Sequence, residues 1–195
     1  MNVLVVFAHP KQESFNRSVL NVAVDELKAA GHEVKVADLY AEGFQSAMIE
    51  EDFAQFDEQP MPEAVKREQA RVEWSDAIVF VFPYWWWSMP AILKGWFDRV
   101  FTYGWAWLNP AKPELSPLAP RRVLVLTSAG ASAEELAKRD YDKAFFTQLK
   151  TGIFGYCNFP EVTIKFLHDV YPGCDQAVSA LRLEEAKAEI RKFAR

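Results

Sequence analysis

The sequence predicts an α/β protein built on a parallel β-sheet, with residues 1–195 forming a single domain. Three apolar runs support this class: VLVVFA at 3–8, AIVFVF at 77–82 and VLVLT at 123–127. Their length and unbroken hydrophobicity are typical of strands buried on both faces. Amphipathic helical patterns separate these runs, and alternating strands and helices favour a parallel sheet with helices on its faces. The chain has 195 residues, of which 50% are hydrophobic, so it can bury one sizeable core.

Two further runs complete the predicted sheet. In HEVKVADL at 32–39 and EVTIKFLHDV at 161–170, apolar and polar residues alternate, which is typical of strands with one exposed face. These two runs are therefore expected at the sheet edges. Three interior strands and two edge strands fit the doubly wound, flavodoxin-like order 2-1-3-4-5.

The helical patterns show apolar residues at helical spacing and boundary residues of the expected types. Gly31 follows the first pattern in the position of a C-terminal cap, and Pro90 suits the first turn of a later helix. The segment EAVKREQARVEW is also helix-like, and its charges indicate a solvated face. The predicted helices cover residues 14–30, 63–74, 90–101, 141–154 and 175–193.

Composition and charge exclude several classes of protein. The net charge of −5 argues against a nucleic-acid partner, which would require a basic patch. No apolar stretch reaches the roughly 18 residues that a membrane span requires. The N-terminus lacks a basic region before its apolar run, which indicates a strand and not a signal peptide. Two cysteines without repeated spacing, Cys157 in an aromatic stretch and Cys174 beside a glycine, are typical of a reduced cytoplasmic protein.

The segment FPYWWWSMP at 82–90 follows a predicted interior strand at its carboxyl end. No single face of a strand or helix can accommodate Trp85, Trp86 and Trp87 together. Full burial of each ring is worth roughly 4–6 kcal/mol, so leaving all three in water would forgo much stability. A partner chain or a flat aromatic ligand is therefore expected to cover them. In doubly wound sheets, ligands bind at the carboxyl ends of the strands, where this segment lies.

Two other loops follow interior strands at the same sheet edge. In AHPKQESFNRS at 8–18, Ser14 begins a helix whose free N–H groups favour an anion such as phosphate, and Arg17 adds positive charge. Ser14 can equally be an ordinary helix cap, and His9 a structural histidine. In TSAGAS at 127–132, the glycine permits close backbone approach, although the segment can also be an ordinary turn.

Common nucleotide, hydrolase and metal motifs are missing from the sequence. There is no G-x-G-x-x-G, no G-x-x-x-x-G-K-[ST] and no G-x-S-x-G. His9, His32 and His168 are scattered without metal-ligand spacing, so no metal site is expected. A flavodoxin-like sheet with a phosphate loop and an aromatic loop points to a flavin.

Three segments resemble the NAD(P)H:quinone oxidoreductases of the DT-diaphorase type. They are AHP…SFN at 8–16, FPYWWWSMPAILKGWFDRVF at 82–101 and LTSAG at 126–130, and the resemblance runs from residue 1 to about residue 168. The bacterial relatives, among which this chain is expected, include quinone reductases and soluble ancillary oxidoreductases of glutathione-gated potassium efflux systems. The resemblance implies a homodimer with active sites at its interface and a tightly bound flavin. We expect FAD, with FMN as the alternative, and NAD(P)H as co-substrate.

The resemblance assigns roles to residues in the three segments. It places His9, Ser14, Phe15 and Asn16 at the phosphate and ribityl end of the flavin, with Arg17 nearby. It places Pro83, Tyr84, Trp85, Trp86 and Trp87 along the flavin ring, and Thr127, Ser128, Ala129 and Gly130 at its pyrimidine side. Trp86 and Trp87 are expected to form the stacking slot for nicotinamide and then quinone. Trp85 is expected to pack inward or against the partner subunit.

The sequence departs from this family at the residues implicated in proton relay and in the quinone pocket. Glu135 and Tyr141 fall near the positions of the family's tyrosine and histidine relay, so only Tyr141 is an expected proton donor. Trp105 and Trp107 replace phenolic residues of the pocket, which predicts a preference for larger planar acceptors. The proline-rich segment 101–120 is expected to cover the active site. The acidic segment 41–62 is expected to be a partly ordered loop that packs on the dimer.

The resemblance implies a ping-pong mechanism, in which hydride passes from NAD(P)H to flavin N5 and then to the quinone in the same slot. Two other functions stay open from the sequence. One is a flavin-binding subunit that docks on a potassium efflux transporter. The other is a flavodoxin-like one-electron carrier, which the wide aromatic slot argues against.

Overall fold

The computed structural model describes residues 1–57, 59–107, 118 and 121–195. The strands are β1 (Asn2–Phe7), β2 (Glu33–Asp38), β3 (Ala77–Pro83), β4 (Arg122–Ser128) and β5 (Glu161–Leu167). The α-helices are α1 (Phe15–Ala29), α2 (Glu63–Trp74), α3 (Ala91–Val100), α4 (Ala133–Lys138), α5 (Tyr141–Phe146) and α6 (Gln176–Phe193). A 3-10 helix covers Glu50–Phe56, and a π-helical segment covers Thr147–Gly155.

The five strands form one parallel sheet in the order β2-β1-β3-β4-β5. Every residue of β3 is buried, whereas both β2 and β5 retain exposed positions. The flavodoxin-like fold and the two edge strands predicted from the sequence are therefore confirmed. Phe7 pairs in register with Val81, and Phe82 with Thr127, so β1, β3 and β4 end close to the same level. Their carboxyl ends form one edge.

Helices cover both faces of the sheet. On one face, α1 and α6 pack through residues such as Leu27 and Ile190 against the alternate side chains of β1, β3 and β4. On the other face, α2 to α5 contribute to a core around Phe80, Trp96 and Phe154. The two cores stabilise the sheet and hold its carboxyl edge in place, because interiors packed at crystal-like density deform little.

The prediction of one continuous α-helix over residues 141–154 is wrong. The structure has the short helix α5 and then a π-helical segment that begins at Thr147. The predicted apolar stripe is nevertheless correct, since Phe145 and Leu149 are buried. Wider π-type winding occurs mainly in single turns near functional sites.

The acidic segment 41–62, predicted to be partly ordered, makes specific buried contacts with α3 of the same chain. Asp52 is fully buried, and both its oxygens accept hydrogen bonds from Arg99 on α3, at 2.7 and 3.0 Å. Arg99 also donates to the carbonyl oxygen of Gln45 at 2.5 Å. At Gly95, a Cβ atom would lie 2.0 Å from the Ser46 carbonyl oxygen, so only glycine permits this approach. Residue 58 of the segment lies outside the described residues.

Two other predictions about local environment have different outcomes. The charges of α2 are not all solvated, because Glu68 is 1% exposed and accepts a hydrogen bond from Trp96 Nε1 at 3.1 Å. Cys157 is buried, with 3% of its surface exposed. Most of the proline-rich segment 101–120, predicted to cover the active site, lies outside the described residues.

Candidate active site

A cleft lies at the carboxyl edge of the sheet, where β1, β3 and β4 end. It consists of two adjoining cavities of about 340 and 300 Å³ that share Tyr84 and Gly130. The larger cavity is lined in part by His9, Ser14, Phe15, Asn16, Trp85 and Ser128, and the smaller by Trp86, Trp87 and Ala129. The structure therefore brings the three loops singled out in the sequence together around one cleft.

The N-terminus of α1 forms one end of the larger cavity. Ser14 caps this 15-residue helix, and its Oγ accepts a hydrogen bond from the Arg17 N–H at 3.2 Å. No described residue accepts a hydrogen bond from the N–H groups of Phe15 or Asn16. Free N–H groups and the positive end of the helix dipole favour an anion at this position.

Asn16 joins the first loop to the end of β4. Its side chain is buried, and Nδ2 donates a hydrogen bond to Ser128 Oγ at 2.9 Å. The residue therefore has a structural role in addition to any contact with a ligand. It holds the helix N-terminus and the 127–130 loop at a fixed separation.

Arg17 lies away from the larger cavity. Its guanidinium donates to Asp38 Oδ2 at 2.6 Å and lies over the ring of Phe7, 4.3 Å from the centroid. Arg17 lines a separate groove between α1 and β2 together with Asp38. Asp38 therefore balances much of the positive charge of Arg17, which weakens the attraction of Arg17 for an anion bound at Ser14.

His9 lies at the boundary between the larger cavity and the tryptophan loop. The Lys11 N–H donates to His9 Nδ1 at 3.1 Å, which leaves Nε2 as the ring nitrogen able to contact a ligand. The His9 and Trp85 rings lie 5.6 Å apart. Burial is the main cause that lowers the pKa of His9, and the charges of Arg17 and Lys11 also lower it. The contact with the Lys11 carbonyl oxygen raises the pKa but does not outweigh burial. A neutral imidazole is thus favoured near neutral pH.

The tryptophan loop is a tight two-residue turn. Trp85 and Ser88 exchange two backbone hydrogen bonds, each of 3.0 Å, and Trp86 and Trp87 have φ angles of 49° and 61°. Positive φ at both central residues defines a type I′ turn, which normally contains Asn or Gly. The left-handed conformation costs an ordinary residue roughly 1–2 kcal/mol. Strain of this kind concentrates at functional sites.

The three indole rings of the turn differ in their exposure to solvent. Trp86 is 93% exposed at the tip, whereas Trp85 and Trp87 are 41% and 43% exposed. Trp85 does not pack inward, because it lines the larger cavity beside His9. Trp86 and Trp87 both line the smaller cavity. The two residues predicted to form the stacking slot therefore line one cavity, with Trp86 open to solvent.

Three contacts hold the turn against α5 and the π-helical segment. The rings of Trp87 and Tyr141 stack at 3.9 Å with 15° between their planes. Tyr84 Oη donates to the Tyr141 carbonyl oxygen at 3.0 Å, and Ser88 Oγ donates to Gln148 Oε1 at 3.0 Å. Burial, together with nearby Asp142, raises the pKa of Tyr84 to about 12, so its hydroxyl remains a donor.

The loop after β4 forms the side of the cleft opposite the turn. The Ala129 N–H donates to the Leu167 carbonyl oxygen at 2.9 Å, which orients the loop, and Gly130 lines both cavities. At Gly130, a Cβ atom would meet other residues only at ordinary contact distance, the nearest at 3.6 Å. Thr127 is fully buried, and its Oγ1 has no partner among the described residues. The side chain of Thr127 is therefore part of the core.

The structure places several predicted residues outside the cleft. Trp105 Nε1 donates to Glu73 Oε1 at 2.6 Å, on the outer side of α2. Trp107 packs against Tyr103 and Tyr156, with ring centroids 5.0 and 5.8 Å away. Neither tryptophan lines the two cavities within one subunit.

Glu135 has a structural role. Its carboxylate accepts from the Ser132 N–H at 2.8 Å, and its own N–H donates to Ser132 Oγ at 3.2 Å. This reciprocal pair is a capping box that begins α4. Glu135 is therefore engaged at a helix end, as expected from the loss of the family's relay residue at this position.

The comparisons with known proteins agree with this architecture. The family described as having a flavodoxin-like fold matches residues 1–194. A solved NAD(P)H:quinone oxidoreductase from Methanothermobacter marburgensis is 33% identical and superposes with a TM-score of 0.90, covering 100% of this chain and 98% of that protein. This chain belongs to the flavodoxin-like family that includes the NAD(P)H:quinone oxidoreductases. The family resemblance predicted from the three segments is confirmed.

Two curated relatives of the family support the same assignment. A ribosyldihydronicotinamide dehydrogenase [quinone] from Pongo abelii is 33% identical over 177 residues, which are 80% of this chain and 77% of the relative. A ribosyldihydronicotinamide dehydrogenase-like protein from Penicillium crustosum is 43% identical over 120 residues. That match spans 53% of this chain and only 45% of the relative's length.

Sequence reasoning missed the part of the cleft that follows β5. Val170, Tyr171, Pro172, Cys174 and Ser179 line the larger cavity at the start of α6. A signal was available, because β5 neighbours β4 and its carboxyl end reaches the same edge of the sheet. The sequence PGC in this loop lacked a recognisable motif.

Neither a metal-binding cluster nor a membrane-spanning helix occurs among the described residues. Across residues 1–57, 59–107, 118 and 121–195, no group of three or more His, Cys, Asp or Glu side chains is arranged to hold a metal. In the same residues, no helix has the length and hydropathy required to span a membrane.

Proposed function

We propose that this protein is a flavin-dependent oxidoreductase that carries two electrons from NAD(P)H to quinones. The observation that supports this most directly is the continuous cleft, with a capped helix N-terminus at one end and the strained tryptophan turn at the other. The names of the relatives support the choice of reaction, since NAD(P)H and quinone occur in them.

The chemistry of the cleft fits a flavin. The N-terminus of α1 suits the phosphate, with Ser14 and the N–H groups of Phe15 and Asn16 as its holders. The N–H groups of Trp86 and Gly130 have no acceptor among the described residues, so they are available to the polar edge of the ring. A flavin held by these groups would supply the chemistry of hydride transfer, with NAD(P)H and the quinone using the same slot in ping-pong order.

The residues of this chain bind and orient the two substrates in turn. Indole rings stack on flat conjugated molecules with a preference for offset or edge contacts, which suits both nicotinamide and quinone. Trp87 is held in place by its neighbours, whereas Trp86 is almost fully exposed and can cover a bound ring. A Trp86 ring that covers the bound molecule keeps water away from the hydride during its transfer.

We propose FAD as the flavin, with FMN as the alternative. The larger cavity continues past the phosphate end of α1 to Tyr171 and Ser179, which provides surface for a group beyond the phosphate. Denaturing the purified protein and identifying the released flavin by mass spectrometry distinguishes the two.

We further propose that the protein is a homodimer. Five aromatic side chains form a connected, partly exposed surface: Phe53, Phe56, Tyr103, Trp107 and Tyr156, with neighbouring centroids 5.0–6.3 Å apart. Exposed aromatic patches of this kind mark interaction sites. In a dimer, Trp105 and Trp107 would reach the partner's cleft and add flat aromatic area to the acceptor pocket, which keeps the predicted preference for larger planar quinones. A Phe56→Glu variant that stays dimeric in sedimentation experiments would refute this interface.

The other two functions receive less support. No feature of the described surface or of the reported relatives' names points to a potassium efflux transporter. A one-electron carrier needs an exposed flavin edge, whereas this cleft is walled by indole rings. We propose a cytoplasmic location, because two cysteines without repeated spacing are typical of a reduced protein.

An anaerobic titration tests the proposed function. The purified protein is reconstituted with FAD, titrated with NADPH while its visible absorbance is recorded, and then mixed with menadione. We expect the flavin absorbance to bleach in one step and to return on addition of menadione. A protein that binds neither FAD nor FMN refutes the proposal, and a stable one-electron form supports the carrier instead.

A further inference from the structure

Tyr141 is the residue for which the sequence and the structure indicate different roles. The sequence predicts that its hydroxyl donates a proton, since it falls near a position of the family's proton relay. In the structure, the Tyr141 side chain lies flat on Trp87, and Tyr141 is not among the residues that line the 300 Å³ cavity. The ring of Tyr141 therefore supports the cavity wall from outside.

The geometry of the stack shows what Tyr141 does to Trp87. A centroid distance of 3.9 Å with planes 15° apart means that the phenol covers one face of the indole. Trp87 lines the cavity and is 43% exposed, so a planar substrate can use only the indole surface that Tyr141 leaves free. The stack thus fixes both the position of this wall and the side from which it can be approached.

The backbone of Tyr141 reinforces the same arrangement. Its carbonyl oxygen accepts the hydrogen bond from Tyr84 Oη, and Tyr84 is the residue immediately before the tryptophan turn. The Tyr84 N–H donates to the Ser128 carbonyl oxygen at 2.7 Å, which ties the strand end to the opposite loop. One residue on α5 therefore contacts both the strained Trp87 and the residue that precedes the turn.

The turn requires external support of this kind. Trp86 and Trp87 both have positive φ, and a two-residue turn of non-glycine residues is held mainly by the hydrogen bonds between Trp85 and Ser88. Trp86 is too exposed to add packing within the subunit. Side-chain support comes from α5 and the π-helical segment, through Tyr141 and Gln148, and from the contact of Trp85 with His9.

We infer that Tyr141 is a positioning residue, whose ring holds Trp87 and the strained turn in the substrate-binding geometry, and that its hydroxyl is dispensable. This inference rests on the proposed function for its kinetic consequence. Its structural consequence, a turn that opens more often without the ring, does not depend on that function.

Three variants separate the ring from the hydroxyl. Tyr141→Phe keeps the ring and removes the hydroxyl, and Tyr141→Leu removes the stack. Phe146→Leu is the matched control, because it makes the same aromatic-to-leucine change on α5, and its ring contact is with Phe166 and not with the turn. Thermal unfolding of each variant establishes that it is folded before comparison.

Hydrogen–deuterium exchange of the flavin-free protein is the measurement that does not require activity. The amides of Trp85 and Ser88 close the turn, so their exchange reports its opening. We expect Tyr141→Leu to speed their exchange by roughly 2- to 13-fold, the factor that corresponds to an aromatic pair, with Tyr141→Phe and Phe146→Leu unchanged. Equal exchange in Tyr141→Leu and the native protein would overturn the inference.

Steady-state kinetics with NADPH and menadione provide the second readout. We expect Tyr141→Leu to raise KM for menadione by roughly the same 2- to 13-fold with a smaller change in kcat, and Tyr141→Phe to retain native values across the pH profile. If Tyr141→Phe lowers kcat and alters the alkaline limb, the hydroxyl is a proton donor and the inference is wrong. If the native protein reduces no quinone, the proposed function fails, and the exchange experiment still decides the role of the stack.

Discussion

The two central residues of the tryptophan turn make a quantitative prediction about backbone strain. Trp86 has a φ of 49° and is 93% exposed, so its conformation is costly and its ring packs little within the subunit. Replacing it by alanine keeps the strain, whereas glycine relieves roughly 1–2 kcal/mol of it. Glycine in turn loses about 0.5–1 kcal/mol more backbone entropy on folding. From the central values of these two ranges, we expect Trp86→Gly to be more stable than Trp86→Ala by about 0.75 kcal/mol.

The glycine and alanine variants are compared with each other, so the loss of the indole ring cancels. For a chain of this length, the expected difference raises the melting temperature of Trp86→Gly above that of Trp86→Ala by about 1–4 °C. Ala91→Gly is the matched control, because Ala91 is exposed in the first turn of α3. There glycine is expected to lower stability relative to alanine.

Differential scanning calorimetry of the flavin-free variants provides the measurement. The reasoning is refuted if Trp86→Ala melts at the same temperature as Trp86→Gly or above it, since the turn would then carry no left-handed strain at this position. Both variants are expected to lose quinone turnover because both lack the indole.

Three other perturbations follow from the structure. Burial is the main reason why the pKa of His9 lies below 6.5, so the unfolded chain binds this proton at a higher pH than the folded protein does. The free energy of unfolding should therefore fall as the pH drops below about 6.5. The variant His9→Gln should flatten this fall in thermal melts. Arg99→Met leaves the buried Asp52 carboxylate unpaired and should cost about 3–5 kcal/mol in urea unfolding; a cost under about 1 kcal/mol would contradict the buried pair. Gly95→Ala should destabilise α3 by about 1–3 kcal/mol despite alanine's helix preference, because its Cβ would lie 2.0 Å from the Ser46 carbonyl oxygen; a more stable variant would show that this contact yields easily.

The fold was predictable because the signals that define it are local. Continuous apolar runs identified β1, β3 and β4 as interior strands, and alternation identified β2 and β5 as edges, which together select the sheet order. Helix boundaries were also close to the predicted positions where a cap was present, as at Ser14. The exception was 141–154, where the apolar stripe was correct but the winding changed to π. Helical periodicity alone does not distinguish these two windings over one or two turns.

The candidate site was predictable as a set of loops. Because β1, β3 and β4 are parallel neighbours, their carboxyl ends had to meet, and the residues after them had to face one cleft. The conformation of Trp86 and Trp87 was not predictable, since sequence statistics place Asn or Gly in a type I′ turn. The loop after β5 was missed because it carries no motif.

The sequence by itself determined the class of fold, the order of its strands, the edge at which the cleft lies and the family to which the chain belongs. These follow from hydrophobic patterning and from short segments whose residues are adjacent in the chain. Only the tertiary structure decided that Arg17 pairs with Asp38, that Asp52 is buried against Arg99, and that Tyr141 stacks on Trp87. Such contacts join residues 21 to 54 positions apart, and a side chain's partner depends on how separate elements pack, which no local pattern records.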